Sequence, residues 1–163
     1  MTISFDLDDT LIPGMKRFPT EPQRFWHRLL SHERLRAGTP ALMKALKGQD
    51  CKIYIYTTSL RSPAYIRRLF LSYGISLDKV INKTVHDKAL KGQAGTPSKL
   101  PSVFDIDLHI DDSPGVEEEG IRFNFRTLIV EEHDGDWVNS VLRTIENYRC
   151  NQEGFILKCR IDI

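Results

Sequence analysis

Apolar and polar residues along the chain follow two different rhythms. Ile3, Phe5 and Leu7 repeat at a period of two, which predicts a short first strand, and Asp6, Asp8 and Asp9 stand at its exit. Pro13 and Gly14 then predict a turn or flap. Thr20 is placed to cap a helix carrying Phe25, Trp26, Leu29 and Leu30, and Thr39 followed by Pro40 opens another with Ala41, Leu42, Ala45 and Leu46. From Cys51 to Tyr56 the chain is nearly unbroken in apolar character, as suits a strand buried on both faces of a parallel sheet, and it ends at Thr57, Thr58 and Ser59. Ser62 and Pro63 start the clearest helix, with Ile66, Leu69, Phe70 and Tyr73 on one face, Arg67 and Arg68 on the wet side, and Gly74 as its stop.

Further on, Ile106, Leu108 and Ile110 form a third predicted strand, again ending in acids, Asp111 and Asp112. Ser113 and Pro114 open a short helix that Gly120 is expected to end; Ile121 to Val130 reads as a strand. Trp137, Val138, Val141, Leu142, Ile145 and Tyr148 give a last amphipathic helix. The stretch from Asp87 to Leu100, rich in Lys, Gly, Ser and Thr, reads as a loop inserted within the domain.

Alternation of strands and helices implies right-handed crossovers and a three-layer α/β/α sandwich around a mainly parallel, Rossmann-like sheet. Such folds bind ligands at the carboxyl ends of their strands, and three strand exits here carry the polar residues. One domain is expected over residues 1–150, with residues 151–163 as an extension that the pattern does not assign.

Composition narrows the function classes. With 163 residues, 40% hydrophobic, 28% charged and a formal net charge of +1, nothing pulls the protein toward nucleic acid or an anionic membrane as a whole. Cys51, Cys150 and Cys159 have no ligand spacing and read as reduced thiols. Acids interrupt the chain at its sixth residue, so neither a secretion signal nor a membrane span is expected, and the expected location is cytoplasmic.

Chemistry concentrates at the strand exits. In FDLDDTL, Asp6 and Asp8 would face opposite sides of an extended strand, so both serve one site only if the chain turns sharply after Leu7. A carboxylate nucleophile can form an aspartyl-phosphate, while a second carboxyl protonates the leaving oxygen and later deprotonates water. Two such acids beside a phosphate need a hard cation, and Mg²⁺ with oxygen ligands fits, drawn from Asp6, Asp8, Asp111 and Asp112. An EF-hand loop is excluded, because its sixth and twelfth positions would be Leu11 and Arg17.

FDLDDTL, IYTTS, a lysine and HIDDS, in that order, resemble the four motifs of the haloacid dehalogenase-like (HAD) superfamily over most of the chain. The resemblance implies Asp6 as nucleophile, Asp8 as general acid/base and Thr10 as the residue that positions Asp8. It further implies a Mg²⁺ held partly by the Leu7 carbonyl, with Asp111 and Asp112 on the metal side. Thr57 matches the hydroxyl that meets the phosphoryl oxygens, with Thr58 in reserve if the register slips. Lys83, Lys88, Lys91 and Lys99 are candidates for the charge-screening lysine; Lys99 is preferred because it precedes Pro101, Val103 and Phe104 as the family lysine often precedes a proline and a helix. FDLDDTL and IDDSPG are also similar to the DLDxT and DNSP motifs of phosphatases acting on the RNA polymerase C-terminal domain, with Asp112 in place of their asparagine.

The implied activity is that of a Mg²⁺-dependent phosphatase for phosphate monoesters. Two alternatives remain at this level, a non-catalytic phosphate-binding scaffold of the same fold and a phosphotransferase. Neither insertion point holds a large cap, so the type is small-cap or capless, and the open site suits a phosphoprotein or a nucleic-acid end. Arg61 is the cation best placed for an anionic substrate. The histidines (His27, His32, His86, His109 and His133) lack ligand spacing and receive no role, and Trp26 and Trp137 are assigned to the core.

Overall fold

A parallel sheet of five strands organises the molecule. The computed structural model describes residues 1–23, 25, 27, 31–91 and 95–161, with residues 151–161 as backbone only. Its strands are β1 (Thr2–Phe5), β2 (Lys52–Tyr56), β3 (Lys79–Ile81), β4 (Leu108–Asp111) and β5 (Thr127–Ile129), in spatial order β3-β2-β1-β4-β5. Helices α1 (Thr39–Gly48), α2 (Pro63–Ser72), α3 (Lys83–Leu90), α4 (Pro114–Phe123) and α5 (Trp137–Ile161) cover it, and a 3₁₀ turn spans Pro101–Phe104. This is the three-layer sandwich the alternation predicts.

β1 is central and wholly buried, with Phe5 opposite Ile55 on one side and Ile110 on the other. Because side chains alternate along a strand, β2 sends Ile53 and Ile55 into the main core, with Leu42, Leu46, Ile66, Phe70, Trp137 and Val141. Tyr54 and Tyr56 go to the opposite face, against Ile81, Val85 and Phe104. Both faces of β2 are therefore dry, which explains its unbroken apolar run. Gly74, at φ 75°, stops the α2 end as expected: its amide reaches the Leu71 carbonyl at 2.9 Å.

Four expectations are corrected. Residues 79–90 hold β3 and α3, where no strand was anticipated and a loop was expected to begin at Asp87; β3 has three residues, and α3 buries only His86 and Leu90, so neither has a legible apolar period. Gly120 does not end α4, which continues to Phe123 and closes on Asn124 at φ 53°. A Cβ at Gly120 would meet the Phe125 carbonyl oxygen at 2.9 Å, so this glycine serves a close backbone approach. The strand expected over residues 121–130 shrinks accordingly to Thr127–Ile129. Phe25, expected on an apolar helix face, is 76% exposed, while Trp26, Leu29 and Leu30 of that helix lie outside the described residues.

Trp137 is buried, as expected of a core residue. Cys51 and Cys150 are free, the first buried and the second exposed. Among the described residues no helix is long and apolar enough to cross a membrane.

Candidate active site

The sheet's carboxyl edge gathers the acids. After β1 the Asp6 amide still donates to Ile110 at 2.8 Å, and then the chain folds back on itself. The Leu7 carbonyl accepts the amides of Leu11 (3.0 Å) and Ile12 (2.9 Å), and Asp9 adopts φ 62°. This turn brings Asp6 and Asp8 to one edge despite their two-residue spacing. It also corrects the expected metal role of the Leu7 carbonyl, whose two lone pairs are taken by backbone amides.

Asp9 received no role from the sequence. Its Oδ1 accepts the amides of Gly14 (2.9 Å) and Lys16 (2.7 Å), pinning the flap beside the site. Glycine suits position 14, because a Cβ there would approach that same oxygen to 2.9 Å and push the Asp9 carboxylate aside. From the pinned flap, Lys16 Nζ reaches Asp112 Oδ2 at 2.8 Å and the Asp112 carbonyl at 3.0 Å. Thr10, buried, donates to Asp112 Oδ1 at 2.9 Å, so its hydroxyl orients Asp112 and not Asp8.

Lys99 lies at the centre. Its side chain is 4% exposed, its Nζ stands 2.5 Å from Asp6 Oδ1, and it also pairs with Asp111 Oδ2. Burial lowers the lysine's pKa, but the two carboxylates outweigh it and the net direction is upward. Of the other lysine candidates, Lys83 pairs with Asp87 on its own helix, and Lys88 and Lys91 are exposed.

The two acids that contact Lys99 are held differently. Burial pushes the Asp6 carboxyl up to about 7; Lys99 opposes this and Asp111 adds to it. Burial pushes Asp111 upward too, but the His109 hydrogen bond and the Lys99 charge hold it well below the usual carboxylate range. Asp111 also accepts the Ser113 amide at 2.9 Å. His109, fully buried two residues before Asp111, bridges Ser4 Oγ (2.7 Å) and Asp111 Oδ2 (2.9 Å). Burial, then Lys99, pushes its imidazole down to about 4, so the neutral ring donates to Asp111 and accepts from Ser4. It received no role from the sequence; its place between Leu108 and Ile110 in a predicted strand is the one signal that could have found it.

On the wetter side, Arg61 Nη1 lies 2.8 Å from each oxygen of Asp8. The guanidinium's other edge is fixed by Glu33 Oε1, at 3.1 Å from Nε and 2.8 Å from Nη2, and Tyr65 donates to Glu33 Oε2 at 2.9 Å. Glu33 and Tyr65 had no sequence signal. Thr57 is buried at the end of β2, where its Oγ1 accepts the Ser59 amide at 3.1 Å and keeps its own hydrogen to give; Thr58 is exposed.

Carboxylate oxygens of Asp6, Asp111 and Asp112 lie within 4.8 Å of one another, an all-oxygen group suited to a hard divalent cation. Asp8, also expected among the ligands, stands outside this group with its carboxylate on Arg61.

No protein-family model matches the sequence, and no curated protein matches it. Solved structures do. A predicted HAD-like family hydrolase from Porphyromonas gingivalis aligns over 88% of this chain and 97% of its own, at 15% identity and a TM-score of 0.51. The fold is haloacid dehalogenase-like. A chain of the Pnkp1/Rnl/Hen1 complex also aligns, at 18% identity and a TM-score of 0.50, over 80% of this chain. This chain spans less than half of that one, 45%. In this HAD-like frame the acids occupy the carboxyl edge of β1 and β4, where the fold class binds ligands.

Proposed function

We propose that the protein is a Mg²⁺-dependent phosphatase that hydrolyses a phosphate monoester through an aspartyl-phosphate on Asp6. The observation that supports this most is the buried Lys99 ammonium between Asp6 and Asp111. A cation buried against two carboxylates fits a site that must bring a third anion, the phosphoryl group, to a carboxylate nucleophile.

In this reading an Asp6 oxygen attacks phosphorus, the bond to the leaving oxygen breaks, and Asp8 gives that oxygen its proton. Asp8 then takes a proton from water, whose oxygen attacks phosphorus and releases phosphate with Asp6 regenerated. Lys99 screens the repulsion between Asp6 and the phosphoryl oxygens, and Thr57 donates its hydroxyl hydrogen to one of them. Arg61 keeps Asp8 in place and, with the exposed Thr58, would be the contact for the substrate beyond the phosphoryl group. Thr10 serves the site by holding Asp112. Asp6, Asp111 and Asp112 would hold a Mg²⁺, and the ion would supply charge that favours ionised Asp6 and neutralises the phosphoryl oxygens.

Neither insertion point holds a large cap, which favours a large substrate such as a phosphoprotein or a nucleic-acid end. A panel of an aryl phosphate, phosphopeptides and oligonucleotides with a terminal phosphate, each with Mg²⁺ or with excess chelator, tests the reading. Hydrolysis that chelator abolishes is expected. Turnover unchanged by chelator, or no turnover of any member, would overturn it.

A further inference from the structure

Lys99 carries a long, flexible stem, and where its ammonium sits depends on where its backbone is held. Residues on both sides of it are gripped from the sheet face opposite the main core. Tyr56, fully buried at the end of β2, accepts the Leu100 amide on its phenol oxygen at 2.8 Å. A backbone amide can only donate, so the phenol hydrogen is free to go elsewhere, and His86 Nδ1 lies 2.5 Å away. Nδ1 must then be unprotonated, which leaves the imidazole's hydrogen on Nε2. Burial lowers the pKa of His86, in keeping with that neutral form. Ser98 is anchored separately, its amide and hydroxyl donating to Glu119 at 2.8 and 2.6 Å. The phenol ring is itself fixed by an edge-on contact with Phe104, centroids 5.4 Å apart.

We infer that the Tyr56–His86 pair is a positioning unit for Lys99, fastening the backbone at Leu100 so that the ammonium meets Asp6 and Asp111. Neither member touches the reacting groups; both act through the lysine. The inference rests on the phosphatase reading, in which Lys99 screens the nucleophile.

Tyr56→Phe keeps the ring and removes the oxygen, leaving the Leu100 amide and His86 Nδ1 without their partner. The expected result is a kcat for an aryl phosphate lowered about tenfold, less than the roughly hundredfold that displacement of a reacting group by an ångström can cause. The effect should vanish in a Lys99→Met background, because a residue acting through Lys99 has nothing left to position. His86→Gln, which retains an acceptor and a donor, should stay near the parent, whereas His86→Leu should match Tyr56→Phe. Phe104→Leu, which loosens the same ring without breaking the network, should lower the melting temperature and leave kcat near normal. An active parent in which Tyr56→Phe costs the same with and without Lys99 overturns this inference alone, leaving Tyr56 an ordinary core residue. A parent that hydrolyses nothing overturns the phosphatase reading and this inference with it.

Discussion

Lys99 Nζ lies 2.5 Å from Asp6 Oδ1, although 93 residues of chain separate them. Both side chains are nearly closed to water, at 4% and 8% exposure. Burying either charge alone would cost several kcal/mol, so each is tolerated only with the other in place. The crossover that carries Lys99 back to the edge of β1 is therefore held by what it delivers.

Substituting that lysine should have a specific signature. Lys99→Met is expected to lower turnover about a hundredfold or more at saturating Mg²⁺, the scale seen when one preorganised electrostatic stabiliser is removed. Lys83→Met, Lys88→Met and Lys91→Met should stay within about twofold of the parent, because none of them faces the acids. A normal Lys99→Met enzyme would remove the charge-screening role.

The two carboxylates after β1 should separate kinetically. Asp6→Asn is expected to abolish turnover. Asp8→Asn should still allow phosphorylation of Asp6 by an aryl phosphate, whose leaving group needs little acid assistance, and then stall because water lacks its base. Intact-mass measurement of Asp8→Asn after rapid quenching should find a phosphorylated protein. Equal loss of both steps would assign Asp8 to a structural role.

Lys16 contacts Asp112 and so competes with any cation bound there. The lysine is 31% exposed and solvent screens the pair, which limits its worth to about 1 kcal/mol or less, roughly fivefold in affinity. Lys16→Met should therefore tighten Mg²⁺ binding by up to about fivefold, read by calorimetry on the substrate-free protein. Weaker binding in this variant would mean that Lys16 supports the metal site through the flap.

Acid should destabilise the fold through His86. Its pKa is lowered from the ordinary 6.5 by burial, so between the two values the unfolded chain binds a proton that the native state refuses. Stability is then present above pH 6.5 and is lost as pH falls toward the native value. Tyr56 from β2, Glu119 from α4, and Lys83 and Asp87 from its own helix are the charged or titratable groups around the ring. The urea midpoint should fall less between pH 7.5 and 5.5 in His86→Gln than in the parent. An identical fall in both would remove His86 from the acid response.

Much of the fold was legible because it depends on local pattern. β2 reads from an apolar run that both faces of a sheet require, and α2 reads from Ile66, Leu69 and Phe70 on one face with Gly74 at its end. β1 and β4 declare themselves by acids at their exits, which fixed the order of motifs and the edge where they meet. β3 and α3 left no such trace, being short and mostly polar; they exist because β2 and the main sheet supply the surface that stabilises them.

At the site, sequence alone determined which residue types are present and at which strand ends. It pointed to Lys99 by its neighbours, but it could not say what that ammonium touches. Only tertiary structure decided that Thr10 bonds Asp112 instead of Asp8, that the Leu7 carbonyl is spent on its own turn, and that Asp9 ties down the flap. The same holds for Ser4 and His109 behind Asp111, and for Tyr56 and His86 around Lys99. The physical reason is that a hydrogen bond depends on separations of a few tenths of an ångström between atoms that are far apart in the chain. Periodicity records which face a residue is on, whereas the partner it meets there is set by how the crossovers pack.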